Sequence, residues 1–548
     1  MLKTNVLRVM RNNQRSWFHE TQSRYLMPEL AVRIFRLVLI LPAFFVMCSC
    51  SAENRLPEHL YYRLNADPST LDPSLIVDVS GGYISAKIFN GLVRLDENLK
   101  VTTDIAESWD VSQKGTEYTF YLKKNVKFTN LREVTSHDFK YSFKRVLSPA
   151  SKSPNTWVFE KISGAKDFMR GKTNDISGVV ILDRYTLKIR LDEPFSPFLH
   201  LLTMTAAYVV PQEEVERLGA DFSSHPVGTG PFLLKEWRNN NEVILRRNDH
   251  YFSDPAKVKG IIYRIIPEDL TAVTEFELGN LDVITVPASE YARYSSSAKW
   301  KEYLSSVHGL NIYYLGFNCS RPPFDNVNLR KAVSYAIDRE KILKTFYESR
   351  GRLAAGPVPD TLRKWQMFFP YAYNPREAKR IIGAEGIKDI TILFYITADQ
   401  EVIDMAEIIQ FYLNKVGLKV SIKQLEWSAY KSAVNKGEAD MFWLSWWADY
   451  PDPENFLFPL FHSSNHGAGG NRSRYSNREV DRLIEEGQRA PDISKRDGYY
   501  SLAEKIIDKE APWVFFWHKT DFTLRQPYLK NYKIYPIYSL DKGVEVSF

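Results

Sequence analysis

Cysteine is nearly absent, with three in 548 residues, at Cys48, Cys50 and Cys319. A chain of this length buries ample core without covalent staples, so a disulfide scaffold is excluded. Long apolar runs are missing too. The conspicuous run, 37–47 (LVLILPAFFVM), has 11 residues, short of the ~20 that a membrane helix needs. Neither sign of charge is in large excess: 72 basic against 66 acidic residues give +6. Seven of the basic groups (Lys3, Arg8, Arg11, Arg15, Arg24, Arg33, Arg36) but only two acidic ones (Glu20, Glu29) lie before residue 50. Without them the balance is 65 against 64, a net +1. Such a body offers phosphate backbones no broad electrostatic footprint, and nucleic acid is not an expected partner. What is present, 44% hydrophobic and 25% charged residues, is a globular composition. Its length suggests roughly three or four domains.

The apolar run follows Arg33 and Arg36 and precedes Met47-Cys48-Ser49-Cys50-Ser51. This is the layout of a signal peptide over 1–49, with Met27 as the expected start of translation. Ser49-Cys50 resembles a bacterial lipobox, which makes Cys50 the lipidated residue and the acyl chains the membrane anchor. The alternative is an uncleaved N-terminal anchor. With Cys48 removed and Cys50 acylated, Cys319 is left without a partner and reads as a small buried apolar residue.

In the body, Tyr118, Phe120 and Leu122 alternate with polar residues and Val126 and Phe128 follow, which predicts a half-buried hairpin. Strands are expected at 243–245 and 261–265. Over 326–346, Leu329, Val333, Ala336, Ile337 and Leu343 fall on one helical face, with Asp325 as the expected N-cap. A strand at 390–396, a helix at 401–416 stopped by Gly417 and a strand at 418–425 make a βαβ unit, hence a parallel pair. Helices are expected around 480–488 and 502–509. The late body is α/β, and the earlier part is mixed and richer in β-structure.

Catalytic signatures are missing. The sequence has no HExxH, GxSxG, Walker A or paired-cysteine zinc spacing. Gly228-Thr229-Gly230 runs into Pro231, which suits a turn and not a phosphate cradle, and Gly467-Ala468-Gly469-Gly470 reads as a loop. His462 and His466 have the spacing of two ligands on a helix, but the intervening Ser463-Ser464-Asn465 argues for a loop. No metal, cofactor or catalytic group is expected.

Several segments taken together resemble the extracytoplasmic solute-binding proteins, family 5, of oligopeptide and dipeptide ABC transporters. They are Leu71-Asp72-Pro73, Ile88-Phe89-Asn90-Gly91-Leu92, Ile105-Ala106-Glu107-Ser108-Trp109, Gly228-Thr229-Gly230-Pro231-Phe232, Leu329-Arg330-Lys331-Ala332 with Ala336-Ile337-Asp338-Arg339, and Trp446-Trp447-Ala448-Asp449-Tyr450 with Pro453. They stand in family order along nearly the whole body. The resemblance implies an α/β, two-lobe periplasmic-binding-protein clamshell (type II, cluster C) with an extra subdomain on the first lobe. Lobe I would be 50–89, 212–310 and 519–548, the subdomain 90–211, and lobe II 311–518.

It also implies a function, the capture of short extended peptides for an inner-membrane ABC permease. The protein would work as a lipid-anchored monomer in the periplasm or on the outer face of the cell membrane. A buried α-ammonium needs an opposed carboxylate, and Asp449 stands where peptide-binding relatives place it. Trp446 and Trp427 match wall positions, Trp447 and Tyr450 share the motif, and 77–80, with Val77 and Val79, would pair with the ligand main chain. The pattern departs from the family in two places. Asn130-Leu131 replaces a usual Asp-Gly turn, and no arginine stands where oligopeptide binders meet the ligand's carboxylate. Three alternatives remain: the same fold with a nickel chelate, haem, murein peptide or sugar; a secreted hydrolase using Asp449 and Asp452; and a surface lipoprotein that binds a partner protein.

Overall fold

Alternating and continuous apolar runs build one connected twelve-stranded sheet in the computed structural model, which describes residues 55–366 and 369–548. The expected signal peptide over 1–49, with Met27 and Cys48, and the expected acylation site Cys50 lie outside the described residues. Residues 57–548 form one compact unit. Among the described residues no helix is long and apolar enough to cross a membrane.

The sheet has two halves that share a strand. In the first, His59–Leu64 lies parallel to Gly260–Ile265, and Glu242–Arg247 and Phe232–Arg238 extend it antiparallel. In the second, Thr391–Thr397 lies parallel to Lys419–Leu425 and to Met441–Trp447, which is antiparallel to Asn311–Phe317. Trp513–Arg525 belongs to both. Its early residues pair with Asn311–Phe317 and its late ones with Val283–Thr285 and Leu304–His308. The halves are the two lobes, and the chain crosses between them along this strand and from Leu304–His308 into Asn311–Phe317.

The two crossings are bonded to each other. The Gly309 N–H donates to the Lys519 carbonyl at 2.9 Å, and the Lys519 N–H donates to Asn311 Oδ1 at 2.7 Å. His518 Nδ1 meets the Asn311 carbonyl at 2.5 Å. A Cβ on Gly309 would sit 2.1 Å from Asn311 Nδ2 and 3.0 Å from the Lys519 carbonyl, so a larger residue there has to displace the Asn311 amide that helps to join the crossings.

The expected βαβ unit is present. Asp399 caps the helix Gln400–Lys415 by accepting the Val402 N–H, Gly417 follows it at φ 93°, and the flanking strands pair in parallel. The 326–346 helix differs from expectation. It is two helices, Val327–Ala336 and Arg339–Thr345. Asn326, not Asp325, caps the first, with its Oδ1 2.8 Å from the Asn328 N–H. The break comes at Ile337, which is buried in an extended conformation, and Asp338 starts the second helix by accepting the Lys341 N–H at 3.0 Å. Around 480–488 and 502–509 the helices run longer, over Arg478–Arg489 and Ile493–Glu510.

The subdomain packs a four-stranded antiparallel sheet, in the order Ala106–Val111, Glu117–Leu122, Thr186–Arg190, Val179–Asp183, against the helix Ser136–Leu147. Phe120, Phe139, Phe143, Phe159 and Leu187 fill its core at 0% exposure. Tyr118, Phe120 and Leu122 do point inward, but their strand pairs with its neighbours at 106–111 and 186–190 and not with Val126 and Phe128. At the Asn130-Leu131 tip, Leu131 takes φ 72°, the left-handed conformation that a glycine adopts at no steric cost.

Candidate functional site

In open α/β sheets the loops after parallel strands share one edge, and ligands bind along it. Trp427 comes two residues after Lys419–Leu425, and Trp446 to Asp449 stand at and beyond the end of Met441–Trp447. Both groups therefore stand at the carboxyl edge of the second lobe. One strand lies between them, which separates their starting points by about 10 Å.

Met441–Trp447 climbs out of the core toward this edge. Met441, Phe442 and Trp443 are buried, Trp446 is half-buried and Trp447 is 43% exposed. Alternation sends Trp446 to the face of Phe442 and Trp447 to that of Trp443. Trp447 pairs in register with Asn311 at the crossing, and Lys519 Nζ stands 5.9 Å from the centre of its ring. Trp427 is half-exposed at the first turn of the helix Trp427–Lys436 and stacks on Tyr430, with centroids 6.0 Å apart.

Asp449 is held by Asn455, a buried residue of the helix Glu454–Phe461. Asn455 Oδ1 accepts the Asp449 N–H at 3.0 Å and Trp446 Nε1–H at 3.3 Å, and its Nδ2 donates to Asp449 Oδ2 at 3.4 Å. Asp449 is an exposed residue, although many protein atoms surround its carboxyl. Burial pushes its carboxyl above the usual range, and the Asn455 amide opposes the shift only in part. Among the described residues no cation pairs with it, and a carboxyl raised in this way gains from an incoming ammonium group.

Tyr538 feels charges from different parts of the fold. Its phenol is pushed up to about 12, first by burial and then by the negative charges of Asp449 and Asp78, while Thr205 hydrogen-bonds it. Asp449 belongs to the second lobe, Thr205 to the subdomain, and Asp78 precedes the helix Val79–Ile88 of the first lobe. Tyr538 lies 5.8 Å from Tyr83, ring to ring, and covers Gly82, where a Cβ would be 2.6 Å from its Cζ. The sequence reading missed Tyr538, Tyr83, Asp78 and Asn455. The only hint was a tail rich in tyrosine, without period.

Two expectations need correction. The 77–80 segment is not a strand available for pairing. Asp78 Oδ1 accepts the Gly81 N–H at 2.7 Å and starts a helix at Val79; Val77 and Val79 remain exposed at 70% and 63%. Tyr450 does not face the opening. It is 4% exposed in the subdomain core, 6.2 Å from Trp157, and its hydroxyl donates to Glu454. Burial pushes the Glu454 carboxyl up to about 7.

Asp452, the other acid of the motif, is fully buried. It accepts from Arg496 Nη1 at 2.8 Å and from the Glu454 N–H at 2.9 Å, which leaves it unsuited to share work with Asp449. His462 and His466 point to different partners, Glu485 Oε1 at 3.2 Å and the Tyr475 carbonyl at 3.0 Å. The Cys319 thiol is pushed up to about 12 by burial, which suits an inert packing residue.

The family model of bacterial extracellular solute-binding proteins, family 5 Middle, matches residues 100–468. The chain is 30% identical over 508 residues to heme-binding protein A of Haemophilus influenzae, covering 87% of this chain and 90% of that one. It is 27% identical over 528 residues to the dipeptide-binding protein of Escherichia coli, covering 92% and 96%. The structure of the periplasmic binding protein DppA from Helicobacter pylori, in complex with the peptide STSA, matches 89% of this chain and 97% of its own, at 26% identity and a TM-score of 0.74.

Proposed function

Because the chain belongs to the bacterial extracellular solute-binding proteins of family 5, we propose that it captures short extended peptides between its lobes and hands them to an inner-membrane ABC permease. The observation that carries this reading is Asp449, a carboxyl raised by burial, oriented by Asn455 at the carboxyl edge of the second lobe and with no ion-pair partner among the described residues. A peptide's α-ammonium supplies the missing charge. Its backbone meets the lobe edges, and Trp446, Trp447 and Trp427 supply walls for side chains. Val77 and Val79 face the ligand as exposed apolar contacts. Tyr450 acts behind the site by packing the motif onto the subdomain.

Closure follows from the two crossings. A ligand that touches both lobes favours the closed form by its differential affinity. In this reading the moving bodies are lobe I (50–89, 212–310 and 519–548) with the subdomain (90–211), and lobe II (311–518). The mature chain is a monomer tethered through acylated Cys50 on the periplasmic side of the membrane, and it performs no chemistry on its cargo.

The test is native mass spectrometry of the purified chain, followed by release and sequencing of the ligand. A family of short peptides, lost on Asp449→Asn, is expected. A single haem-like, metal-chelate or sugar species that survives this substitution overturns the reading, and the 30% identical heme-binding relative makes haem the first species to look for.

A further inference from the structure

A second opening lies away from the gap, where the subdomain meets the second lobe. This seam is directly bonded. The Ser196 N–H donates to the Gln488 carbonyl at 2.7 Å, and Arg489 Nε donates to Glu193 Oε2 at 3.2 Å. Beside these contacts is a cavity of about 650 Å³, within the range of small-molecule sites. Its apolar wall joins Trp109, Phe195 and Leu199 of the subdomain to Pro491 and Ile493 of the second lobe. Asp452 reaches it from the loop that begins with Asp449, so one short segment serves both the gap and this pocket.

Its charge is lopsided. Lys100, Lys364, Arg489 and Arg496 line it against Asp452 and Asp497. Arg496 and Asp452 pair at 2.8 Å, and Arg489 is engaged by Glu193 and Glu485 at 3.2 and 3.4 Å. Burial pushes the Asp497 carboxyl up against the pull of Arg496 and, more weakly, Lys364, and His200 is held down by burial, which disfavours its cation. Lys100 and Lys364 have no ion-pair partner within 4 Å among the described residues. An apolar slot with two such cations at its mouth suits a molecule that is flat and greasy at one end and negative at the other.

We propose that this seam pocket is a second ligand site, which takes a small aromatic anion: a ring system bearing one carboxylate or sulfonate, with its rings against Trp109 and Leu199 and its charge toward Lys100 and Lys364. Because its walls come from both bodies, the bound anion stabilises their contact.

The test uses the full chain and two dyes, 1-anilinonaphthalene-8-sulfonate and its neutral analogue N-phenyl-1-naphthylamine, followed by fluorescence titration. Saturable sulfonate binding is expected, weakened about fivefold in the Lys100→Ala/Lys364→Ala variant and lost when Leu199→Trp fills the pocket. Binding of the neutral dye responds to Leu199→Trp alone. Circular dichroism and thermal unfolding check that each variant is folded; the lysine variant, changed only at charged side chains, keeps the test open if Leu199→Trp is not. Absence of saturable sulfonate binding overturns the site. So does sulfonate binding that Leu199→Trp leaves intact in a folded chain, which would place the dye elsewhere. Equal binding of the two dyes, unaffected by the lysine changes, overturns the anionic class.

Discussion

Asn455 grips Asp449 by backbone and side chain together, with its Oδ1 3.0 Å from the Asp449 N–H and its Nδ2 3.4 Å from Oδ2. The same Oδ1 accepts from Trp446 Nε1 at 3.3 Å. One buried amide therefore orients Asp449 and Trp446 together, which is how a supporting residue would hold the proposed binding group in geometry.

Asn455→Ala is expected to weaken peptide binding about tenfold, the effect of one or two misplaced hydrogen bonds, and to change Trp446 fluorescence. Isothermal titration with a tripeptide checks the first expectation. Undiminished affinity would remove Asn455 from its positioning role.

If Asp449 holds the chain end as proposed, affinity depends on acidity. Its carboxyl is raised by burial, so it protonates earlier than an exposed acid as pH falls, and affinity for a cationic chain end falls with it. The stability sign is the reverse. A raised folded-state value contributes stability that is present at low pH and lost as pH rises through that value. Asp449→Asn should thus flatten the acid limb of the affinity profile and leave the unliganded chain at least as stable at pH 7. Calorimetric titration and thermal unfolding across pH read both.

His518 lies at the crossing between the lobes, with burial lowering it to about 4 from an ordinary 6.5. The unfolded chain binds the extra proton, so stability is full above about 6.5 and falls as pH drops toward 4. The full change is on the order of 3 kcal/mol. Urea unfolding at pH 7 and pH 4.5 should show a smaller pH difference for His518→Asn than for the parent chain. An unchanged difference would mean that this imidazole does not titrate on unfolding.

Arg145 of the subdomain helix reaches Asp72 of the first lobe, Nη1 to Oδ1 at 2.6 Å, and a second hydrogen bond closes the fork. Asp72 is 2% exposed. Arg145→Met strands a buried carboxylate, at about 3–5 kcal/mol. Adding Asp72→Asn should recover much of the loss, and denaturant melts of both variants measure it.

Gly230 passes the end of the helix Val79–Ile88 so closely that a Cβ would lie 2.2 Å from the Lys87 carbonyl. Gly230→Ala should cost about 3 kcal/mol or more by overpacking. Gly171→Ala meets nothing within 4 Å, and its φ of 69° leaves only a backbone penalty of about 1 kcal/mol.

How much of this was legible beforehand varied with the kind of signal. Local periodicity located the βαβ unit within a residue or two, because an apolar stripe and a stop glycine are written in adjacent positions. It failed at 326–346, where Ile337 continues the apolar stripe but Asp338 restarts the helix. It failed again at Val79, because a helix of mostly small residues buried on several sides shows no stripe. Motif residues were visible, but their work was not. Arg330 of Leu329-Arg330-Lys331-Ala332 is 5% exposed and donates to the Phe324 and Glu510 carbonyls at 2.7 and 3.0 Å, which makes it a structural brace. Tyr450 was taken for a ligand contact because it adjoins Asp449, whereas a residue next along the chain turns to the other side. Tyr538 was out of reach altogether, since the residue that feels the Asp449 charge lies 89 positions further along the chain.

The strand Trp513–Arg525 sits mid-sheet although it follows the other strands of that sheet in the sequence. Without it, nothing fills the place between Asn311–Phe317 and Val283–Thr285. Both halves of the sheet therefore depend on one segment for their inner edge, so a substitution that unseats it weakens the two lobes together and not one alone.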